Sequence, residues 1–363
     1  MKTHNIVLLP GDGVGPEVTD AARLILAAVS DLWGHDLRTS VKLIGGVALD
    51  ETGEPLPQAT LDACLKADAV FLGAVGGPKW DGHERRPEEG LLGLRQAMGL
   101  YANLRPVEVT PQGAVRSPLK ADVVKGVDLL IVRELTGGAY FGEKTREADR
   151  ATDLCAYSTH EIERVARVAF RAARERRGHV TSIDKANVLE TSRLWRETVT
   201  RLAHTDFPDV ELEHVLVDAA AMRLIQKPRA FDVVLTENMF GDILSDEASI
   251  LSGSIGMLGS ASLGDGGPGL FEPIHGSAPD IAGRDIANPI GAILSVSMLL
   301  HYGLGLIDEA EAVRSAVTAV LASGRSTADL GGWESCSAFA WAVAQALRNT
   351  RTAALHGRLM HWG

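Results

Sequence analysis

Cysteine is scarce in this chain, with three among 363 residues, Cys64, Cys155 and Cys336. Far apart and odd in number, they encode neither a disulfide framework nor a Cys-x-x-Cys metal site, and a reducing cytosol is the natural setting. Positive charge is outnumbered: 36 Lys and Arg face 47 Asp and Glu, for a net charge of −11. Non-specific nucleic-acid binding needs a basic face, so that class is excluded, while local basic pockets for small anions are not. Long hydrophobic runs are also missing. The first, Ile6 to Leu9, stops at Pro10 and is too short for a signal-peptide core. The longest uncharged stretch, Pro289 to Ile307, starts with proline, carries His301 and is broken by Gly303 and Gly305. It reads as a buried helix rather than a membrane span. No internal repeat or low-complexity tract is visible.

What is present has the profile of a globular protein, 45% hydrophobic and 23% charged. The length exceeds one ordinary core and suggests two domains. The most informative stretch is FDVVLTENMFGDILSDEASILS, residues 231–252. Phe231 to Leu235 reads as a buried strand, and Gly241 is expected to open a helix beyond it. Asp242 and Asp246 then lie four apart on one helical face, where like charges repel by a few tenths of a kcal/mol. Alone, such a pair reads as a complement to the helix dipole. Other residues change that reading.

Ile6 to Leu9 is expected to be a strand, followed by GDGVGP at 11–16 and an amphipathic helix of about 18 residues. The turn imitates a dinucleotide fingerprint, but the third glycine of GxGxxG would fall at Pro16, so a Rossmann nucleotide site is rejected. Further strands are expected at 41–44 and 69–72, the second running into a loop with Gly76, Gly77 and Pro78. In PEEGLLGLR, Glu88, Leu91, Leu92 and Arg95 share one helical face. Leucines so spaced are usually core, and an arginine among them needs an anionic partner. Arg105 precedes Pro106, which holds it extended. Arg133, Lys185 and Asp218 each fall at or just past the end of an expected strand, at 128–132, 180–183 and 215–217. That is the edge where open α/β sheets place ligands.

Together these residues resemble the β-hydroxyacid oxidative decarboxylases, the family of the isocitrate and isopropylmalate dehydrogenases. The matching segments include GDGVGPE at 11–17, NLRP at 103–106, VRELTGGAYFG at 132–142, DKANVLE at 184–190, TENMFGDILSDEAS at 236–249 and FEPIHGSAPDIAGRDIANP at 271–289. They run in family order over nearly the whole chain. The resemblance implies an α/β fold that is not Rossmann, with a discontinuous cofactor-side domain, 1–100 plus 254–363. A second domain, 101–253, would carry substrate, metal and dimer contacts. It also implies a cytoplasmic homodimer in which Lys185 and Asp218 serve the neighbouring subunit's site.

The resemblance further implies oxidation of a 2-hydroxy acid followed by loss of its β-carboxylate. Arg95, Arg105 and Arg133 would hold substrate carboxylates, because a guanidinium matches them bidentately. Lys185 would take the hydroxyl proton and Tyr140 would return one to carbon. Asp218, Asp242 and Asp246 would bind magnesium or manganese, which favour oxygen ligands. NAD is expected along His275, Gly276, Ser277, Ala278, Pro279, Asp280 and Asn288, with Gly76, Gly77, Pro78 and Glu88. Asp280 would repel a 2′-phosphate and so select NAD over NADP. Glu88, Leu91, Leu92 and Val188 would choose the substrate, the leucines favouring the branched alkyl group of 3-isopropylmalate. Competing expectations are a relative acting on isocitrate, homoisocitrate, D-malate or tartrate, a magnesium-dependent hydrolase using the three aspartates, and a non-catalytic subunit.

Overall fold

The computed structural model describes residues 3–359. The chain divides into two compact units. The first holds residues 1–99, 254–261 and 265–363, and the second holds 100–253 and 262–264. Up to Gly99 the strands are β1 (Thr3–Gly11), β2 (Asp36–Val41) and β3 (Ala69–Ala74). There follow β4 (Ala102–Glu108), β5 (Asp128–Glu134), β6 (Lys144–Arg146), β7 (Ala151–Asp153), β8 (His179–Asp184), β9 (Glu211–Leu216) and β10 (Val233–Thr236). Last come β11 (Gly259–Leu263) and β12 (Gly269–Pro273).

In the first unit the strand order is β2-β1-β3-β12-β11. β1 runs parallel to β2 and β3, and β12 is parallel to β3. A parallel β1–β2 pair requires a crossover, and helix Gly15–Trp33 supplies it. That helix buries Val18, Ala22, Ile25, Leu26 and Val29, the periodicity of a helix with one core-facing stripe. Proline in its first turn loses nothing, since that amide has no partner inside the helix. The stretch after Pro289 is helix Ile290–Met298, with nearly every side chain buried, continued by a π-helical turn that buries Leu299 and Leu300. Among the described residues no helix is long and apolar enough to cross a membrane.

In the second unit the order is β4-β5-β10-β8-β9. Only β4 is antiparallel there, lying against β5, while β5, β10, β8 and β9 all run the same way. β6 and β7 form a separate exposed antiparallel pair.

Three sequence expectations shift. The second strand ends at Val41 instead of starting there, because residues 36–40, polar except for Leu37, form an edge with little burial and so lack an apolar run. The strand before Asp218 is Glu211–Leu216, and Val217 already belongs to helix Val217–Gln226. The helix beyond β10 starts at Asn238, capped by the Glu237 side chain accepting from the Phe240 amide, so Gly241 lies within it.

Candidate functional site

In the second unit the register of the parallel strands decides what meets. Thr236 of β10 pairs with Arg133 of β5 and Ile183 of β8, and Asp184 pairs with Leu216 of β9. The carboxyl ends of four strands therefore finish level, with Arg133, Lys185, Asp218 and the head of helix Asn238–Ser249 at one edge. Arg105 reaches the same group from β4: its Nε donates to Asn103 Oδ1 at 2.7 Å and its Nη1 to Ser245 Oγ at 2.5 Å.

Asp242 and Asp246, on one face of the helix, are neutralised as their spacing demands. Arg133 Nη1 donates to Asp242 Oδ1. Arg105 lies 3.5 Å from Asp242 and 3.5 Å from Asp246. Both guanidiniums are buried, Arg105 at 6% and Arg133 at 3% exposure, and a buried cation without an anion would be prohibitive. Burial pushes the Asp246 carboxyl above its ordinary value, the Asp242 charge adds to this, and the arginines oppose it. The Tyr140 hydroxyl donates to Asp242 Oδ2 at 3.0 Å, and burial followed by the Asp242 charge holds its phenol above 10, so it stays protonated at neutral pH.

Gly241 is required by this arrangement. A Cβ there would lie 2.3 Å from Thr236 Oγ1 and 2.6 Å from Arg133 Cγ, so the arginine passes across the helix only because no side chain stands in its way.

Lys185 and Asp218 form their own pair, Nζ to Oδ1 at 2.6 Å, and the hydrogen bond from the lysine lowers the Asp218 pKa. The turn carrying Lys185 is built by Asp184, which is buried, accepts the Ala186 amide and takes a two-pronged bond from Arg196. Among the described residues no three His, Cys, Asp or Glu side chains group as a metal set. Within one chain, Asp242 and Asp246 stand with the arginines and Asp218 stands with Lys185.

In the first unit, strands β1, β3 and β12 also end together. Asp12, just past β1 and 4% exposed, accepts the amides of Gly46, Val47 and Gly76, each at 2.8 Å. The glycine-rich turn is therefore a buttress. Gly13 (φ +60°) lies so close to Ser277 that a Cβ would sit 1.9 Å from its carbonyl oxygen, which accepts from the Val14 amide at 2.8 Å. That contact fixes the loop with His275, Gly276, Ser277, Ala278, Pro279 and Asp280. In the loop, Gly276 has open space where a Cβ would project, Asp280 is exposed and Ala278 has a positive φ of 39°. Burial holds His275 below its ordinary pKa, and its Nε2 is buried with no hydrogen-bond partner.

Glu88 is exposed, with a carboxylate oxygen resting over Gly76, and Leu91 and Leu92 are only half-buried. The buried face of helix Pro87–Ala97 instead carries Gly90, Leu94 and Arg95, so these two leucines are not ordinary core. Arg95 finds its anion within the unit: Nη2 donates to Glu272 at 2.7 Å, and both side chains are about nine-tenths buried. Asn288 accepts the Ile290 amide and donates to Asp329 at 2.9 Å. Glu272, Asp329, Asn103, Asn238 and Ser245 were not singled out from sequence. They carry no periodic signal, and their partners are up to 177 residues away.

Parallel strands whose ends gather arginines, aspartates, a lysine and a tyrosine define the class first. The chain belongs to the isocitrate/isopropylmalate dehydrogenase family, whose sequence model matches residues 5–343. More particularly, it is 57% identical over 332 residues to a 3-isopropylmalate dehydrogenase from Rhodopirellula baltica, covering 90% of this chain and 92% of that one. A 3-isopropylmalate dehydrogenase from Bacillus cereus is also 57% identical, with 94% and 96% covered. Among solved structures, isocitrate dehydrogenase from Methylococcus capsulatus superposes with a TM-score of 0.86 at 36% identity, covering 95% of this chain and 100% of that one. A β-decarboxylating dehydrogenase from Thermococcus kodakarensis gives 0.79 at 37%, covering 96% and 97%.

Proposed function

We propose that this chain catalyses NAD-dependent oxidative decarboxylation of 3-isopropylmalate to 4-methyl-2-oxopentanoate and carbon dioxide, a step of leucine biosynthesis. The observation that carries the reading is the cluster of two buried guanidiniums, two carboxylates on one helix face and a tyrosine hydroxyl, on a chain 57% identical to proteins of that name. Arg105 and Arg133 bind the substrate carboxylates, and Arg95 is assigned the same task. Lys185 Nζ takes the proton of the substrate hydroxyl. Tyr140 Oη, kept protonated, is suited to deliver one to the carbon left after decarboxylation.

Asp242 and Asp246 fit a magnesium or manganese ion by chemistry: both are hard oxygen donors on one helix face, with side chains 35% and 57% exposed. Asp218 is assigned as a third ligand. A cation held there supplies positive charge beside the substrate's oxygens. The loop 275–280 fits a nicotinamide dinucleotide, having an unpartnered buried His275 nitrogen and an exposed carboxylate, Asp280, for ribose hydroxyls. Gly76, Gly77, Pro78, Glu88 and Asn288 are assigned to the same ligand, which when bound would supply the hydride acceptor.

Glu88, Leu91 and Leu92 are assigned to substrate choice, as is Val188, which is 61% exposed. A homodimer is supported by exposed apolar side chains on the second unit: Val188, Met222, Ile243 and Ile250 are 42–61% exposed. The cytoplasm is the proposed compartment. The test is NADH formation by the purified chain with 3-isopropylmalate, NAD and magnesium. Turnover of isocitrate or D-malate instead would move the assignment.

A further inference from the structure

Asn238 is 1% exposed, at the head of the helix that carries Asp242 and Asp246. Its side-chain oxygen accepts twice from Arg133, from Nε at 3.1 Å and Nη2 at 2.7 Å. Its side-chain nitrogen donates to the Gly137 carbonyl at 3.1 Å. The orientation is forced, because a guanidinium only donates and a carbonyl only accepts. One amide thus touches both the arginine that faces Asp242 and the loop that carries Tyr140.

The same loop is held from two other directions. Glu134, fully buried, accepts the amides of Thr136 at 3.0 Å and Gly137 at 2.8 Å. Gly137 and Gly138 pass so close over Tyr157 that a Cβ on either would lie 2.5 Å from its ring or hydroxyl. The Tyr157 hydroxyl donates to Glu237 and accepts the Asn238 amide, both at 3.0 Å. Loop 136–140 is therefore clamped at its start and from beneath. Asn238 adds a direct hydrogen-bonded tie from it to the guanidinium, which also lies over the Tyr140 ring at 5.7 Å from its centre.

We propose that Asn238 is a positioning residue that sets the orientation of the Arg133 fork and links it to the loop presenting Tyr140. It touches no reacting atom in this scheme. The inference rests on the proposed dehydrogenase reading for its kinetic consequence, though not for the contacts themselves. Because its oxygen and nitrogen do different work, two substitutions separate them. Asn238→Asp keeps the acceptors for Arg133 but replaces the donor to Gly137 with an oxygen that repels the carbonyl. Asn238→Ala removes both.

Two measurements test it. The first is hydrogen–deuterium exchange of the 134–142 backbone, which needs no substrate. Both variants are expected to exchange faster there than wild type, with helix Thr159–Arg174 unchanged. Equal protection in all three proteins would overturn the link to the loop. The second is steady-state kinetics. Asn238→Ala is expected to raise the substrate KM about tenfold and to lower kcat about a hundredfold, as misplacement of a positioned group by an ångström does. Asn238→Asp is expected to hold KM within about threefold of wild type while kcat still falls, since only the Tyr140 side is loosened. Parallel losses in KM and kcat for the two variants, with matching falls in melting temperature, would mark a merely structural residue and overturn the proposal. If wild type itself turns over no 3-isopropylmalate, the substrate reading fails, while the exchange comparison still decides Asn238.

Discussion

Gly241→Ala sets two effects of opposite sign against each other. By helix propensity alone, alanine at an interior position of helix Asn238–Ser249 stabilises by about 1 kcal/mol. The new methyl, however, would stand 2.3 Å from Thr236 Oγ1, 2.6 Å from Arg133 Cγ and 2.8 Å from Arg133 Cβ. None of these is the free end of a flexible side chain. Both partners are buried on strands in mid-sheet, so ordinary contact needs a retreat on the order of 1 Å through packed structure. Overpacking of this kind costs about 1–3 kcal/mol. The net expectation is a loss of up to about 2 kcal/mol, together with a displaced Arg133. In urea unfolding the midpoint should fall with little change in slope. In NADH-linked assays kcat/KM for 3-isopropylmalate should drop about a hundredfold, the scale of a misplaced binding group. Gly93→Ala in helix Pro87–Ala97 is the control: its nearest neighbour would be Leu56 Cδ2 at 3.7 Å, so propensity should win there. A Gly241→Ala protein that is more stable than wild type, with unchanged kinetics, would refute the claim that this glycine exists to let Arg133 pass.

Gly13→Ala should raise the NAD dissociation constant at least tenfold by calorimetry, because a methyl 1.9 Å from the Ser277 carbonyl must displace loop 275–280. Gly34→Ala, with a φ of +72° but open space around it, should cost only about 1 kcal/mol of stability and leave NAD binding alone. Tyr140→Phe should lower kcat by roughly 10²–10⁴ while substrate binding, followed calorimetrically, stays near wild type. Asp12→Ala strands two buried amide donors and a part-buried one and should destabilise by about 3 kcal/mol in urea. Glu134 has a pKa raised above 4.5 by burial, against the pull of its amide hydrogen bonds and Arg164. The folded state therefore holds its proton more tightly than the unfolded one. Its contribution to stability grows as pH falls from that raised value toward 4.5, and Glu134→Gln should remove that slope from urea midpoints measured across the window. Asp209, lowered by Arg174, has the opposite sign and loses its contribution as pH falls.

Much of the site was legible because residue type and local period carry information without tertiary structure. Hydrophobic β-branched runs marked β3, β5, β8 and β10, and the residues just beyond them had to lie at the carboxyl edge of a sheet. A spacing of four put Asp242 and Asp246 on one face, and repulsion between them required nearby cations. Legibility failed where the signal was not local. β2 is a polar edge strand and gives no apolar run. Leu91 and Leu92 have core spacing yet are half-buried, because burial depends on what lies opposite.

The sequence by itself determined the chemical inventory: which side chains stand at strand ends, and that a Pro16 in the glycine-rich turn rules out a dinucleotide fingerprint. It determined the family too, because many short segments in fixed order are specific where any one is not. The tertiary structure alone decided the partnerships. Arg95 meets Glu272 across 177 positions, Arg105 meets Ser245 across 140, and Arg133 meets Asn238 across 105. Such pairs follow from strand register and helix placement, which long-range packing fixes. A buried charge or amide reveals its task only once the group that satisfies it is in place.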